Sequence, residues 1–476
     1  MSKGVSINNF IKEYSESIKR GKAALFIGSG LSRPAGYMGW KDILRDCAEE
    51  IGLCVDKERD LIALAQFYVT QNKQRTKITN TVKNFFSDKN GVPTLNHLLL
   101  AELPITSVWT TNYDRLIERT YEQRNTTYTI LTDDKSYRNF DDCAKITIHK
   151  IHGDVLTADD VIITRDDYES FANNHDIVLA ELKGEMCSRS FLFLGYSFSD
   201  TDIQHILTQI RLIHDKNQPQ RHFYIYEKVK RADGESDEDF EYKCKRQEHL
   251  IADFMLYGIN PVLVEDYSEI TDILKRINQR VLLKNVLICG SYEEDYGYAK
   301  RSAHAAQKIS SELIQLGFKI FTGYGKNLGS EIVAGAFSGC TKADVDIKEF
   351  NDTVFLFPFP YKELDVEKRK EYYTHLRENM ISKTQITIVI AGNNERDNIA
   401  KGVMEEVELS VNHGNLIIPI ATTGSAALHI WDKINQSGSS YSKTEEFQAL
   451  SKAINADEIW NTVNSIISKF IADVCK

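Results

Sequence analysis

Two polar side chains suited to proton transfer and hydrogen bonding follow apolar stretches in the first half of the chain. Asn112 comes directly after a strand predicted at 107–111, and His152 comes directly after one predicted at 145–151. An imidazole exchanges a proton near neutral pH, and an amide holds water or a hydroxyl group by hydrogen bonds. Because parallel strands present ligand sites at their carboxyl ends, we predict one site that contains both residues.

A second histidine lies close to His152 in the sequence. His149 stands three residues earlier, and the alternation of side chains along a strand turns it to the opposite face of the sheet. We therefore interpret His149 as a core or surface histidine and His152 as the histidine of the site. A metal site with both histidines as ligands is disfavoured for the same reason.

Glycine-rich turns follow two further apolar strands. Residues 28–30 read Gly-Ser-Gly after a strand predicted at 23–27, while Gly195 and Ser197 follow one predicted at 191–194. Glycine lets a backbone turn tightly and approach a ligand, and the amides that follow can point at a pyrophosphate. For residues 28–30 an ordinary strand–helix turn remains the alternative, because the third glycine of the dinucleotide fingerprint is missing.

The second half of the chain repeats this arrangement of strand and turn. Gly290 and Ser291 follow an apolar stretch, and Gly323 and Gly325 follow the strand predicted at 318–322. We predict a second site at these turns. It also includes Ser330, which is predicted to open a helix, and the residues Arg377, Lys401, Gly402 and Glu406. These residues favour a second phosphate cradle. A flexible turn is the alternative for the glycines, and a solvated surface is the alternative for the charged residues.

Strands and helices alternate along both halves, which positions these residues at strand ends. Further strands are predicted at 222–226, 261–264, 285–289, 353–357, 387–390 and 416–420. Helices are predicted at 42–51, 202–214, 267–283, 298–315, 366–380 and 402–411. Near-continuous apolar strands in β-α-β order indicate an α/β fold with mainly parallel sheets covered by helices. We predict two tandem Rossmann-like domains, at 1–283 and 284–476.

Composition narrows the class of protein. The chain has 476 residues, 42% of them hydrophobic and 26% charged, with a net charge of −10. This is a globular composition, and the acidic balance disfavours nucleic acid as a partner. The sequence shows no apolar run of membrane-spanning length and no secretory signal, so we expect a cytoplasmic protein without a membrane partner. Eight cysteines without a C-x-x-C pair predict no zinc site and no other metal.

The first half, roughly residues 1–280, resembles the sirtuin family. The Gly-x-Gly-x-Ser turn that starts at Gly28, the Thr-x-Asn-x-Asp segment that ends at Asp114, the His-Gly pair at His152 and the late Gly-x-Ser at Gly195 stand in sirtuin order. The resemblance implies NAD as ligand, Asn112 at the nicotinamide ribose and His152 as general base. It implies that NAD is bound by Gly28, Ser29, Gly30, Ser32, Asp114, Gly195 and Ser197.

Two departures from the sirtuin pattern favour NAD hydrolysis over protein deacylation. The chain lacks the four-cysteine zinc module, and residues 36–40 read Gly-Tyr-Met-Gly-Trp where deacetylating sirtuins carry Pro-Asp-Phe-Arg. Without a groove for acyl-lysine, water is the natural acceptor. An NAD-dependent protein deacylase and a non-catalytic nucleotide sensor remain the alternatives.

The second half resembles the SLOG family of nucleotide-binding domains and phosphoribohydrolases. The match lies in Cys289-Gly290-Ser291 and in the turn at residues 322–325. The double-glycine catalytic turn of the family's enzymes is missing, since residues 391–394 read Ala-Gly-Asn-Asn. Binding is therefore favoured over phosphoribohydrolase activity, with Arg377 and Glu406 as the expected contacts for a pyrophosphate and for ribose hydroxyls.

The order of the two domains resembles the NAD-depleting effectors of the Thoeris anti-phage system, across essentially the whole chain. This resemblance implies an NAD+ glycohydrolase that is activated by a cyclic ADP-ribose isomer, which a partner TIR-domain protein makes. It also implies a homo-oligomer, expected to be a tetramer, and defence by NAD+ depletion.

Overall fold

The structure is a computed structural model in which two compact units are distinguished, Met1–Asn278 and Gln279–Lys476. It describes residues 4–37, 39–86, 91–138, 140, 143–196, 198, 207–208, 222–344, 347–359, 366–394 and 398–475. Ser197 and most of the helix predicted at 202–214 lie outside the described residues. The domain boundary at 283 stays a prediction, because a division by contacts does not show that either part folds alone.

The first unit contains a seven-stranded sheet in which every pairing is parallel. Its strands are β1 Ala23–Ile27, β2 Ser107–Thr110, β3 Tyr128–Leu131, β4 Ile146–Lys150, β5 Ser190–Leu194, β6 His222–Glu227 and β7 Ile259–Val264. Their spatial order is β3-β4-β2-β1-β5-β6-β7. The chain therefore places β2, β3 and β4 on one side of β1 and β5, β6 and β7 on the other, which makes the β1–β5 junction the switch point of the sheet.

The central strands are apolar because helices cover both of their faces. All five residues of β1 and all five of β5 are buried. The described part of this unit contains the α-helices Ile7–Lys19, Trp40–Glu50, Leu61–Asn72, Thr76–Phe85, Leu95–Glu102, Leu116–Gln123, Asp134–Arg138, Arg165–Asn174, Asp176–Ser188, Asp237–Leu256 and Glu269–Leu282, the last of which continues past Asn278. Several begin at a side-chain cap, such as Ser6, Asp60 and Ser236.

The second unit contains a five-stranded sheet that is also parallel in every pairing. Its strands are β8 Asn285–Ser291, β9 Lys319–Thr322, β10 Val354–Leu356, β11 Ile386–Ala391 and β12 Leu416–Pro419, in the order β10-β9-β8-β11-β12. Its α-helices are Ala299–Gln315, Leu328–Lys342, Val366–Ile381, Lys401–Asn412, Ser425–Gln436, Glu445–Ala449 and Ala456–Cys475. The α/β class and the mainly parallel sheets are thus confirmed.

One described strand was missed by the sequence analysis. β3 lies at the edge of the first sheet, and three of its four residues are only half-buried. It therefore lacks the continuous apolar run that identified the other strands. One placement was also wrong: the helix that Ser330 was expected to open begins at Leu328.

Two general features follow from the described residues. None of their helices is long and apolar enough to cross a membrane. They also contain no group of three or more His, Cys, Asp or Glu side chains arranged to hold a metal ion. The expectation of a protein without metal stays a prediction.

Candidate functional site

The four sequence segments predicted to form the first site follow four neighbouring strands. The order β4-β2-β1-β5 brings the loops after these strands to one edge of the sheet. Asn112 follows β2 and His152 follows β4, while the glycine turns follow β1 and β5. Ligands of open α/β sheets bind at this edge, next to the switch point.

A chain of hydrogen bonds fixes the side chain of Asn112. Its amide nitrogen Nδ2 donates to Oγ of Ser32 at 3.1 Å, and the same hydroxyl donates to Oδ2 of Asp114 at 2.8 Å. Asp114 is held in turn, because its Oδ1 accepts from the amide of Leu116 at 3.0 Å. All three polar side chains are at least nine-tenths buried. The carboxylate thus orients the hydroxyl, and the hydroxyl orients the amide.

His152 lies just beyond the carboxyl end of β4, within a mainly aromatic environment. It is 3% exposed, and its ring packs edge-to-face against Tyr168 and Phe171 at centroid distances of 5.3 and 6.0 Å. Its backbone carbonyl accepts from the amide of Ile162 at 3.0 Å. These contacts hold the imidazole in one place at the edge of the sheet.

The glycines after β1 are required by close packing against Gly195. The amide of Gly28 donates to Leu194 and that of Gly30 to Gly195, at 2.8 and 2.9 Å. A Cβ added at Gly30 would lie 2.8 Å from the Cα atom of Gly195, which itself has a φ of +64°. Backbone packing thus explains these glycines. The backbone amides of Gly28 and Gly30 are already hydrogen-bonded within the protein. The contact of these glycines with NAD stays a prediction, and so does the contact of the exposed Ser29 with NAD.

Lys150, the last residue of β4, is a buried cation that the sequence analysis did not identify. Its side chain is 1% exposed and contacts the carboxylates of Glu118 at 2.8 Å and Asp154 at 2.5 Å. Its ammonium group also donates to the carbonyl oxygen of Asp114 at 2.6 Å. Burial disfavours the charged form, but attraction to the two carboxylates outweighs it and raises the pKa of Lys150.

His149 is a core histidine, in agreement with one of the two interpretations left open for it. Its ring stacks on Trp109 with centroids 3.8 Å apart, and Nδ1 is hydrogen-bonded to the hydroxyl of Tyr137. Burial, with a smaller contribution from Arg189, lowers the pKa of His149 to about 3. His149 is therefore neutral and belongs to the packing of the unit.

In the second unit, two predicted glycines pack at the ends of β8 and β9. Gly290 has a φ of +142°, and a Cβ there would overlap the carbonyl oxygen of Ile390 on the neighbouring strand. A Cβ at Gly325 would overlap the carbonyl oxygen of Gly290. Ser291 is tied to the end of β11, since its hydroxyl donates to the carbonyl of Asn393 at 2.7 Å.

A charged and aromatic cluster lies beside these turns. Arg377 is 8% exposed, and its guanidinium lies 4.8 Å from the ring centroid of Phe359 and 5.7 Å from that of Tyr373. Its Nη1 donates to Glu405 at 2.8 Å, while its Nε lies 3.8 Å from a carboxylate oxygen of Glu406. A planar guanidinium supported by aromatic rings is a group that can bind an anion, in competition with Glu405.

The structure brings some predicted residues of the second unit to this cluster and leaves others apart. A Cβ at Gly323 would lie 3.3 Å from Glu406, and one at Gly402 would lie 2.9 Å from Arg377. Both glycines therefore leave room for the charged pair. Lys401 is exposed, and the exposed Ser330 donates to the carbonyl of Asn327 at 2.8 Å. No described contact joins either of these two to the cluster, and their role as ligand contacts stays a prediction.

Comparison with protein families divides the chain in the same order. Residues 106–249 match the SIR2-like domain, and residues 269–470 match the Sir2- and TIR-associating SLOG family. The sirtuin-like and SLOG resemblances are thereby confirmed.

Individual relatives match most of the chain. The chain is 34% identical over 437 residues to the NAD(+) hydrolase ThsA of Bacillus cereus (strain MSX-D12), covering 91% of the chain and 90% of the relative. It is 35% identical over 474 residues to the NAD(+) hydrolase ThsA of Enterococcus faecium, covering 96% and 97%. A more distant match is Defense-associated sirtuin 2 of Bacillus subtilis, at 24% over 222 residues, 45% of the chain and 22% of the relative.

Proposed function

The chain belongs to the ThsA family of NAD(+) hydrolases and is an NAD+ hydrolase, and we propose that Asn112 and His152 perform this hydrolysis under the control of the second unit. The observation that carries the catalytic assignment is the oriented set of Asn112, Ser32 and Asp114. Asn112 and Asp114 follow β2, which pairs with β4, the strand that precedes His152.

In the reaction, water replaces nicotinamide at C1′ of the ribose. The C–N glycosidic bond breaks, its electron pair leaves with the cationic nicotinamide and neutralises it, and the oxygen of water bonds to C1′. The proton that water loses needs an acceptor, and an imidazole side chain is a suitable base. The products are nicotinamide, ADP-ribose and a proton.

We assign the two residues separate parts in this reaction. The Nδ2 of Asn112 is engaged with Ser32, so its oxygen Oδ1 is the atom that accepts from a ribose hydroxyl or from the attacking water. His152 is the general base. The turn before Ser32 and the turn at Gly195 border the same edge and bind the pyrophosphate and adenosine side of NAD+.

The second unit binds the activating signal, a cyclic ADP-ribose isomer. The guanidinium of Arg377 suits the pyrophosphate of such a molecule, and Glu406 suits its ribose hydroxyls. The match of residues 269–470 to a SLOG family that associates with Sir2 and TIR domains supports this assignment. A TIR-domain protein produces the signal.

Control of this kind serves anti-phage defence by depletion of cytoplasmic NAD+. An NAD+ hydrolase that is always active would harm its own cell, so the resting state is inhibited. A ligand shifts such an equilibrium only by binding the active state more tightly. The active state is a homo-oligomer, a tetramer, in which subunit rearrangement opens the catalytic site.

The test is nicotinamide release from NAD+ by the full-length protein, with each cyclic ADP-ribose isomer in turn. We expect one isomer to raise the rate at least about tenfold and Arg377→Ala to abolish this response, at a cost of several kcal/mol in ligand affinity. The matched control is Arg301→Ala, at a cation of the same unit that bonds to the carbonyl of Thr422. An Arg377→Ala protein with an unchanged half-maximal concentration would refute the signal site.

A further inference from the structure

The strongest polar feature that the proposed mechanism does not use is the group around Lys150. Its ammonium nitrogen contacts four acceptors: Glu118 Oε1 at 2.8 Å, Asp154 Oδ2 at 2.5 Å, and the carbonyl oxygens of Asp114 at 2.6 Å and Tyr113 at 3.3 Å. An ammonium group has three protons, so the shortest three contacts satisfy it and the fourth is the weakest. We call Lys150, Glu118 and Asp154 the lysine hub.

The lysine hub connects the two loops that carry the proposed catalytic residues. One loop runs from β2 through Asn112 to Asp114, and the other runs from β4 through His152 to Asp154. Lys150 is the last residue of β4, directly before the second loop. Its ammonium group bonds to Asp154 at the end of that loop and to the carbonyl oxygen of Asp114 in the first loop.

Two backbone hydrogen bonds join the same loops on either side of the hub. The amide of Ile151 donates to Thr110 and that of Val155 donates to Tyr113, both at 3.1 Å. Glu118 extends the connection to the helix Leu116–Gln123, whose first amide, that of Leu116, donates to Oδ1 of Asp114. The two loops are therefore joined both by the side-chain contacts of the lysine hub and by backbone hydrogen bonds.

Stability alone does not explain the lysine hub. Removing ions from water is costly, and well-packed apolar side chains of similar size often stabilise a protein as much or more. Lys150 is 1% exposed and Glu118 is 0% exposed, so both bear that cost in full. An ionic centre also has directional hydrogen bonds, and these fix the two loops in one relative position.

We infer that Lys150 is a positioning residue for NAD+ hydrolysis, which sets the placement of Asn112 relative to His152. The inference rests on the proposed catalytic roles of those two residues. Lys150 is fully enclosed and acts through the loops, without contact to NAD+. A displacement of about 1 Å in a reacting geometry costs on the order of 100-fold in rate, so loss of the hub's direction should appear in the chemical step.

The experiment compares kcat and KM for NAD+ in the full-length protein with Lys150→Met, under the conditions in which the wild type turns over. Met has similar length but neither charge nor donor. We expect kcat to fall on the order of 100-fold while KM changes less than about threefold, because the nucleotide-binding turns are untouched. A kcat within threefold of the wild type would overturn the inference.

A second variant keeps the test informative if Lys150→Met fails to fold. The triple variant Lys150→Met, Glu118→Gln, Asp154→Asn removes the unpaired charges together with the lysine. We expect it to recover thermal stability without recovering kcat. Recovery of both stability and kcat would show that the lysine hub is purely structural and would overturn the inference.

The matched control is Glu185→Gln. Glu185 is also a shielded carboxylate, 12% exposed, and it accepts from Trp109 Nε1 at 2.8 Å and from the hydroxyl of Ser107 at 2.5 Å. Ser107 begins β2, so this contact lies at the end of the strand opposite Asn112. We expect a loss of stability with unchanged kcat; an equal loss of kcat would show that any buried defect slows the enzyme. Asn112→Ala distinguishes a failure of the positioning role of Lys150 from a failure of the proposed catalytic site. An active Asn112→Ala protein would refute the catalytic site itself.

Discussion

Glu406 is a buried carboxyl group whose ionisation should destabilise the second unit as the pH rises. It is 6% exposed, and burial raises its pKa to about 7, with Arg377 lowering it and Glu405 raising it by smaller amounts. Arg377 approaches only to 3.8 Å, through Nε, and gives its short hydrogen bond to Glu405. The thiol of Cys289 is also buried beside it, and its pKa is raised first by burial and then by Glu406.

The size of the effect follows from the difference between the folded and the unfolded pKa. An unfolded glutamate titrates near a pKa of about 4.3, and each unit of difference corresponds to about 1.36 kcal/mol. With a folded pKa of about 7, folding favours the protonated form by roughly 3 to 4 kcal/mol. Because the folded pKa is raised, this contribution is present below about pH 4 and is lost as the pH rises through 7.

The perturbation is Glu406→Gln, which replaces the carboxyl group with a neutral amide of the same shape. The assay is calorimetric unfolding of the full-length protein at a series of pH values from about 5 to about 8.5. Near pH 5, where about 1 kcal/mol of the difference is already present, the second unit should unfold only about 2–4 °C higher in the variant than in the wild type. Near pH 8.5 the variant should unfold about 10 °C higher, since 1 kcal/mol shifts Tm by about 2–4 °C in a unit of this size.

The control is Glu405→Gln, because the side chain of Glu405 is 39% exposed and is hydrogen-bonded to Arg377. The stability of Glu405→Gln relative to the wild type should not increase with pH as that of Glu406→Gln does. A difference between wild type and Glu406→Gln that is the same at both ends of the pH range would refute the reasoning. So would a variant that is less stable than wild type near pH 8.5.

Three further predictions concern single contacts. Ser32→Ala should release the amide of Asn112 and lower kcat for nicotinamide release by roughly 10- to 100-fold; unchanged kcat would show that the hydroxyl does not orient it. Gly195→Ala should cost about 1–3 kcal/mol in unfolding free energy, because its φ of +64° and the adjacent turn exclude a Cβ; an unshifted melting curve would contradict this. Glu405→Gln should free Arg377 and tighten binding of the activating cyclic ADP-ribose isomer about fivefold by calorimetry, near 1 kcal/mol for a partly exposed ion pair; weaker binding would show that Glu405 does not compete with the ligand for Arg377.

The sequence was sufficient to predict the architecture because both sheets are parallel and buried. Eleven of the described strands lie within two residues of their predicted bounds, since a strand covered on both faces is a continuous apolar run. β3 was missed because an edge strand needs no such run. The residues of the first site could be assigned to one edge of the sheet for the same reason, because each of them follows a recognisable strand.

The contacts that orient the site were beyond sequence reasoning because they join distant positions. Lys150 occupies the end of a strand where a lysine is usually solvated, and its carboxylate partner Glu118 lies 32 residues earlier. Likewise, Ser32 and Asp114 are separated by 82 residues. The resemblance to sirtuins pointed to both as NAD contacts, and the structure adds a role for them in orienting Asn112.

In the second unit the sequence identified Glu406 and passed over Glu405. A pair of adjacent glutamates on a helix does not reveal which of them is buried. The turn of the helix Lys401–Asn412 places Glu406 inward and leaves Glu405 at the surface, where it still reaches Arg377. Glu406 lies beside Cys289 of β8 and Gly323 after β9, whereas Glu405 is hydrogen-bonded to Thr374 and Arg377 of the helix Val366–Ile381.

The most direct test of the central claim is nicotinamide release from NAD+ by the full-length protein with His152→Ala or Asn112→Ala, under conditions in which the wild type is active. We predict that each variant loses at least about 100-fold in kcat, as expected for removal of a general base or of a group that holds the reacting water. Both variants should still unfold in a cooperative transition, although at a lower temperature, since each loses a buried side chain. The control is His413→Ala, at an exposed histidine of the second unit, which should keep full turnover. Near wild-type kcat in either catalytic variant would contradict the account.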